Sequence, residues 1–271
     1  MSGARVQVVE VDGGRLSTAT WGQGPPEIIM LHDGLGSITQ WRDVPANLAA
    51  ASGRTVMAYD RAGHGGSLPL PQGWWPPDWL HQEAQVLDSL ITATEATLPA
   101  LVGHSDGGSI AAIHATEQTD HGPIVLLAAH SWLESAAVAE IISMRSRADE
   151  VVSRLGRFHS NPAAVFEAWS GVWTSKEFAL WDIRPILHTV SCPTIVLQGT
   201  ADEFATPSQA THTAAAIGDN AECRLLDGLR HLLHHDAPEL VVKTIVDFLE
   251  ASQWSPRRSS TTTTSPYGTE T

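Results

Sequence analysis

Cysteine and lysine are both scarce in this sequence. Its 271 residues include two cysteines, Cys192 and Cys223, and two lysines, Lys176 and Lys243. Two cysteines give no disulfide framework, and because each lies at or within a predicted strand we expect small buried side chains there. The formal net charge is −14, which disfavours nucleic acids and anionic membrane surfaces as partners.

Long hydrophobic runs are also missing. No window contains the roughly 20 apolar residues that a membrane-spanning helix requires. The N-terminus has no basic segment followed by an apolar one, so we expect a cytoplasmic protein without a membrane partner. Because 42% of the residues are hydrophobic, the chain can still bury a sizeable core, either as one large domain or as two small ones.

Short apolar runs alternate with helical patterns along most of the chain. Because these runs are almost wholly apolar, they are typical of strands that are buried on both faces. The pattern predicts an α/β fold, with a mostly parallel, doubly wound sheet of about eight strands. A hairpin turn at Asp12-Gly13-Gly14 adds an antiparallel pair at the sheet edge. The apolar runs are at 27–31, 54–59, 100–102, 122–129, 194–197 and 222–226.

The alternation stops between residues 131 and 188, where the sequence predicts helices and no clear strand. We therefore predict a core formed by residues 1–130 and 189–253, with 131–188 as a helical cap. Since ligands bind at the carboxyl edge of an open parallel sheet, the cap is expected to cover that edge. Residues 254–271 are rich in serine and threonine and predict a disordered tail.

Tryptophan is frequent, with ten residues in the chain. Indole rings on helices that cover the sheet edge would form an apolar roof over a pocket, but they would equally serve to fill a small helical core. We expect at least two of four tryptophans in the inserted region to line a pocket. These four are Trp132, Trp169, Trp173 and Trp181.

The segment Gly103-His104-Ser105-Asp106-Gly107 matches the pattern G-x-S-x-G. It follows a predicted strand and precedes a helical pattern, which is the setting of a nucleophilic serine on a sharp turn. The glycines leave room for this turn. The first amides of the helix would then stabilise a developing oxyanion. Without its flanking elements, the motif would fit an ordinary strand-to-helix turn equally well.

A serine nucleophile needs a base, and an acid that orients the base. In this motif the acid follows the serine in the chain and the histidine follows the acid, each on a loop after a strand. Asp202 and His231 satisfy this order, and both are placed at the same sheet edge as Ser105. Other residues of these loops remain open for the same roles: Glu203 and Asp227 as the acid, His234 and His235 as the base.

Two backbone N–H groups are needed to form an oxyanion hole. The amide of Asp106 is the first candidate, because it directly follows Ser105. The amide of Gly34 is the second, because glycine lets a substrate approach the backbone closely. The side chain of Asp33 is expected to point away, since an ionised carboxylate would oppose the oxyanion. His32 is expected to brace this loop.

Five segments together resemble the α/β-hydrolase superfamily, in its serine-nucleophile branch with a helical cap, and the resemblance spans residues 6–251. It implies a triad of Ser105, Asp202 and His231. It also implies that His130 and Trp132 face the pocket as substrate contacts beside Trp169 and Trp173, with a structural role for His130 equally open. The segments are His32-Asp33-Gly34-Leu35-Gly36, Asp60-Arg61-Ala62-Gly63-His64-Gly65-Gly66-Ser67, Gly103-His104-Ser105-Asp106-Gly107-Gly108, Gly199-Thr200-Ala201-Asp202 and Gly228-Leu229-Arg230-His231.

These inferences predict a serine hydrolase without metal or other cofactor, acting as a monomer or homodimer on a small-molecule substrate. We expect it to cleave an ester-like bond of a small, largely apolar compound through an acyl-enzyme. One alternative keeps the same triad but cleaves a carbon–carbon bond in a ring-fission product. A second alternative is a catalytically weak, ligand-binding or receptor-like protein that retains the fold.

Overall fold

A computed structural model describes residues 3–68 and 75–255 of the chain. Within these residues, eight strands form one sheet in the order β1-β2-β4-β3-β5-β6-β7-β8. The β1–β2 and β2–β4 pairs are antiparallel, and all other pairs are parallel. The predicted sheet and its edge hairpin are therefore confirmed. The strands are β1 (Arg5–Val11), β2 (Gly14–Trp21), β3 (Ile28–Leu31), β4 (Val56–Tyr59), β5 (Ala100–His104), β6 (Ile124–Leu127), β7 (Thr194–Gly199) and β8 (Ala221–Leu226).

Helices connect the parallel strands, and several carry a proline at their first or second position, where its fixed φ suits a first helical turn. A 3₁₀ helix, Ile38–Trp41, precedes the first of them. The α-helices are α1 (Val44–Ser52), α2 (Trp79–Ala93), α3 (Asp106–Glu117), α4 (Ser135–Arg145), α5 (Ala148–Leu155), α6 (Pro162–Trp173), α7 (Arg184–Leu187), α8 (Pro207–Ile217), α9 (Leu233–Asp236) and α10 (Pro238–Ala251).

The core lies on both faces of the sheet. In β3, Ile29 and Leu31 join one apolar cluster, together with residues of α2, α3 and α6. Ile28 and Met30 join the other cluster, with residues of α1 and α10. Successive side chains of a strand point to opposite faces, so a strand covered on both faces must be apolar at every position. This explains why the central strands read as unbroken apolar runs.

The inserted helices α4, α5 and α6 lie between β6 and β7 and pack on one another. The short α7 packs mainly against α8 and α3 instead. The division into a core and a cap of residues 131–188 stays a prediction. Most of the predicted tail, residues 256–271, lies outside the described residues. Of the described helices, none has the length and the apolar composition that crossing a lipid bilayer requires.

Candidate active site

Ser105 occupies a strained turn between β5 and α3. Its backbone has φ 52° and ψ −119°, a combination that residues with a side chain seldom adopt. A Cβ added at Gly103 would overlap the Gly107 carbonyl, and one added at Gly107 would overlap the Leu31 carbonyl. Only glycine fits at these two positions. The predicted tight turn is therefore present, and it brings the serine to the carboxyl edge of the sheet.

His231 is hydrogen-bonded to a carboxylate that is itself held rigidly. Its Nδ1–H donates to Asp202 Oδ2 at 2.8 Å, which leaves Nε2 as the basic nitrogen. Asp202 also accepts bonds from the Gln198 side chain and from the amides of Phe204 and Ala205. Burial alone would lower the pKa of His231, but the charge and hydrogen bond of Asp202 outweigh it and raise that pKa. The same pairing lowers the pKa of Asp202 against its burial.

The other acids and bases named from the sequence are engaged elsewhere. Glu203 accepts a bond from the backbone amide of His231 at 3.2 Å, not from its ring. Asp227 accepts a bond from a threonine hydroxyl at 3.1 Å. His234 packs its ring against an indole 4.5 Å away, and Nε2 of His235 lies 2.7 Å from a backbone carbonyl oxygen. The geometry therefore favours the pair described above as acid and base.

A cavity of about 210 Å³ lies at the carboxyl edge of the sheet, below α4 and α6. Asp202 does not line it and stands behind His231, as an orienting acid would. Of the predicted site residues, the cavity brings together Gly34, Ser105, Asp106, His130, Trp169, Trp173 and His231.

Trp132 does not line this cavity, so the structure does not support its predicted role as a substrate contact. Its backbone forms an isolated antiparallel bridge with Asp182, ahead of α7. That pairing directs the indole to Arg184, whose guanidinium carbon lies 4.3 Å from the ring centroid. Trp181 packs its ring on Phe178 at 5.2 Å and fills a helical core, which was the alternative considered for these tryptophans.

Trp169 and Trp173 do line the cavity, as expected for two of the four tryptophans. They lie four residues apart on α6 and therefore project from one face of the helix. His130 also lines the cavity, with its ring 5.2 Å from that of Trp173 and 6.0 Å from that of His231. Burial lowers the pKa of His130 to about 3, so its imidazole is neutral at ordinary pH. A neutral ring adds no charge beside His231.

The amide of Asp106 begins α3 and has no acceptor within that helix. The side chain of the same residue is buried at the cavity wall, and its Oδ2 has no hydrogen-bond partner among the described residues. Burial raises the pKa of this carboxyl to about 7. Up to neutral pH, a large share of the molecules therefore carries an uncharged carboxyl here, which does not oppose a developing oxyanion.

The Asp33 carboxylate faces His104, a residue that the sequence analysis did not single out. Asp33 Oδ2 lies 3.3 Å from His104 Nδ1, and Oδ1 accepts a bond from the Leu35 amide at 2.9 Å. Burial opposes ionisation of Asp33, but the nearby His104 ring outweighs it and holds the pKa of this carboxyl below the usual range. His104 Nε2–H also donates to the carbonyl of His231 at 2.9 Å. His104 thus ties the Gly34 loop to the His231 loop.

Enlarging Gly34 is expected to impair this site. A Cβ at Gly34 would overlap Trp169 Nε1 and would lie 2.5 Å from Asp106 Oδ2. Both neighbours are buried, so the loop or the indole must shift, at an overpacking cost of about 1–3 kcal/mol. We expect Gly34→Ala to lower kcat/KM at least about tenfold on any ester that the parent hydrolyses, because the proposed oxyanion amide moves with the loop.

Gly171→Ala is the matched control for this prediction. Gly171 lies on α6 between the two cavity tryptophans, and a Cβ there has no neighbour within 4 Å. Alanine also favours a helix over glycine, so thermal unfolding should shift upward or stay unchanged. Steady-state assays of both variants check the prediction. Equal activity of Gly34→Ala and the parent would contradict it.

A mostly parallel sheet that carries a serine on a strained turn and a histidine–aspartate pair beside one cavity defines the class of α/β-fold hydrolases. A family profile described as "Alpha/beta hydrolase family" matches residues 28–244, and the chain belongs to this family. The resemblance to the α/β-hydrolase superfamily is thereby confirmed.

Several individual proteins similar to this chain carry hydrolase names. "Serine hydrolase BPHL" of Mus musculus is 26% identical over 256 residues, covering 89% of this chain and 85% of that protein. "Monoglyceride lipase homolog" of Monkeypox virus is 24% identical, covering 83% and 88%. The crystal structure of the enol-lactonase from Burkholderia xenovorans LB400 has a TM-score of 0.72 at 21% identity, covering 90% and 100%. The family and these names support a hydrolase, and the solved structure shows the fold alone.

Proposed function

We propose that this protein is a serine hydrolase in which Ser105 attacks an ester-like carbonyl. The proposal is carried by one observation: Ser105 and His231 line the same cavity, and His231 donates from Nδ1 to a buried carboxylate of Asp202. A histidine held in this tautomer has its free Nε2 available to take the serine proton.

The reaction follows from these roles. The Oγ of Ser105 bonds to the carbonyl carbon while its proton passes to Nε2 of His231, and the carbonyl electrons move onto the oxygen. The amides of Asp106 and Gly34 stabilise this oxyanion. His231 then protonates the departing alcohol as the tetrahedral intermediate collapses to an acyl-enzyme. A water that gives its proton to His231 releases the acid and restores the Ser105 hydroxyl.

The substrate class follows from the cavity walls. Apolar and aromatic side chains supply most of the lining, from the cap at Ile141, Trp169 and Trp173 and from the core at Phe204. Together with a volume of about 210 Å³, this favours a small, largely apolar ester. No step requires a cofactor. A cytoplasmic location and a monomeric or homodimeric state stay predictions.

Covalent trapping combined with product analysis tests this function. A fluorophosphonate should add one equivalent to the protein, and peptide mapping should locate the adduct on Ser105. A panel of small esters and lactones should then be turned over, with the acid and alcohol as products. Turnover confined to diketone-like acids would replace ester cleavage with carbon–carbon cleavage. Labelling without turnover on any panel member would indicate a receptor-like protein instead.

A further inference from the structure

Asp60-Arg61-Ala62-Gly63-His64-Gly65-Gly66-Ser67 takes no part in the proposed triad, yet one of its side chains reaches the loop with the proposed oxyanion amide. Arg61 Nη2 donates to the carbonyl oxygen of Asp33 at 2.7 Å. That carbonyl belongs to the same peptide unit as the N–H of Gly34. A trans peptide is planar, so its C=O and N–H point in opposite directions. Holding the oxygen therefore fixes the direction of the Gly34 amide.

The carbonyl oxygen of Asp33 accepts a second hydrogen bond, from His32. His32 Nδ1–H donates to the Asp33 oxygen at 2.7 Å, and His32 Nε2 accepts a bond from the Arg61 amide at 3.1 Å. Burial and the nearby charge of Arg61 lower the pKa of His32 well below its ordinary value, so the ring stays neutral and keeps this tautomer. The brace expected of His32 is thus present and involves Arg61.

Packing alone does not account for an arginine at this position. Arg61 is fully buried, and its Nε and Nη1 have no hydrogen-bond partner among the described residues. Its guanidinium carbon lies 5.8 Å and 5.4 Å from the ring centroids of Trp75 and Trp79. Burying an incompletely paired charge is costly, and an apolar side chain of similar size is often more stable in such a place.

The charge of Arg61 also acts at the cavity wall. Burial raises the pKa of the Asp106 carboxyl, and Arg61 is the strongest influence in the opposite direction. The electric field of Arg61 therefore reaches Asp106, whose amide is the other proposed oxyanion donor. A cation bonded to a peptide carbonyl also polarises that peptide and strengthens its N–H as a donor.

We propose that Arg61 is a positioning residue that orients and polarises the Asp33–Gly34 peptide, so that the Gly34 amide binds the oxyanion. This inference rests on the proposed function, because it assumes that an oxyanion forms beside Ser105. It assigns to Arg61 an effect on kcat and little effect on KM, since the interaction strengthens only as negative charge develops.

Substituting Arg61 by Met, Gln and Lys tests the inference. Met removes the donor and the charge, Gln keeps a donor, and Lys keeps both. We expect Arg61→Met to lower kcat by roughly 30-fold or more, while KM changes less than about threefold. Its melting temperature should equal or exceed that of the parent. Arg61→Lys should retain more kcat than Arg61→Gln.

Arg54→Met is the matched control. Arg54 is only partly buried, pairs with Glu27 at 3.3 Å and stacks on Trp254, so its loss affects stability away from the cavity. Its kcat should stay within about twofold of the parent. A purely structural role for Arg61 predicts a lowered melting temperature and a loss of active fraction, measured by fluorophosphonate titration, at unchanged kcat per active site.

The outcomes separate this inference from the proposed function. If the parent hydrolyses esters and Arg61→Met keeps kcat within threefold, the inference fails alone. If Arg61→Met does not fold, equal kcat values for the Lys and Gln variants overturn it. If the parent has no ester turnover, the proposed function fails. The positioning role is then tested by NMR, through the amide resonance of Gly34 in ¹⁵N-labelled protein. This resonance must shift in Arg61→Lys or in Arg61→Gln, and it must stay unchanged in Arg54→Met.

Discussion

Ser105→Ala is expected to lower kcat/KM for an activated ester by at least about 10⁴-fold. The substitution removes the only atom that forms a covalent bond with the acyl group in the proposed reaction. Catalysis by the oxyanion hole and by binding would remain, which in enzymes of this mechanism leaves a rate well above that in water. The residual activity should therefore be measurable in a long assay with a chromogenic ester.

The expected loss is chemical and not structural. Ser105 is almost fully buried, and its strained backbone is imposed by the strand-to-helix turn, which alanine does not relieve. Alanine is smaller than serine, so it introduces no clash. Thermal unfolding should differ from that of the parent by no more than a few degrees, and the variant should no longer react with a fluorophosphonate.

Ser109→Ala provides a matched control on the same helix. Ser109 is buried one turn later, where its Oγ donates to the carbonyl oxygen of His130 at 2.6 Å. Losing one such bond costs about 1–3 kcal/mol of stability but removes no group that reacts. Its kcat/KM should stay within about threefold of the parent. A Ser105→Ala variant that matched Ser109→Ala in rate would eliminate Ser105 as the nucleophile.

Local patterns predicted the features that local sequence determines. The buried strands were recognisable because both faces of the sheet are covered, so each residue from Ile28 to Leu31 must be apolar. The turn at Ser105 was recognisable because two close backbone approaches admit only glycine. Trp169 and Trp173 line the cavity as expected, and their shared face of α6 is known only from the structure.

Features set by tertiary pairing were not accessible in the same way. The resemblance to the α/β-hydrolase superfamily implied that His130 and Trp132 both face the pocket. The bridge from Trp132 to Asp182 instead holds the indole away from the cavity. The contact between His104 and Asp33 joins the end of β5 to a loop about 70 residues earlier in the chain, and no periodicity connects them. The helices α7 and α9 have four residues each, too few to show a helical period.

The same distinction applies to the loop of Gly34. The glycine itself was a reasonable choice from the sequence, because only a small residue lets a substrate approach the backbone. The donors that fix the peptide come from Arg61 and His32, and their reach depends on β3 and β4 lying side by side in the sheet. The segment from Asp60 to Ser67, which served in the sequence only as a mark of the fold, therefore supports the proposed role of Arg61 once the strand order is known.

Asp202→Asn is expected to lower kcat/KM by about 10³- to 10⁴-fold through the tautomer of His231. In the parent, the amides of Phe204 and Ala205 donate to Oδ1, and both His231 Nδ1 and the Gln198 amide donate to Oδ2. An asparagine keeps its oxygen on the two backbone amides, which directs its NH₂ group towards His231. The imidazole must then accept at Nδ1 and carry its proton on Nε2, where it cannot take the proton of the serine.

The pH profile gives this prediction a second measurement. In the parent, Asp202 raises the pKa of His231 above the ordinary 6.5, so kcat/KM should fall as the pH decreases through that raised value. Without the carboxylate, burial dominates and lowers the pKa. The acidic limb of the remaining activity should therefore move to lower pH in Asp202→Asn, and the variant should lose more activity at pH 8 than at pH 6.

Asp227→Asn is the control, because Asp227 is the alternative aspartate for this role. In the part of the chain that the structure describes, its carboxylate accepts a bond from the Thr200 hydroxyl and not from His231. Its kcat/KM and its pH profile should both match those of the parent. Reversed results, with a large loss in Asp227→Asn and little change in Asp202→Asn, would mean that the loops rearrange before catalysis. A small loss in both variants would mean that the tautomer of His231 is fixed by a different group.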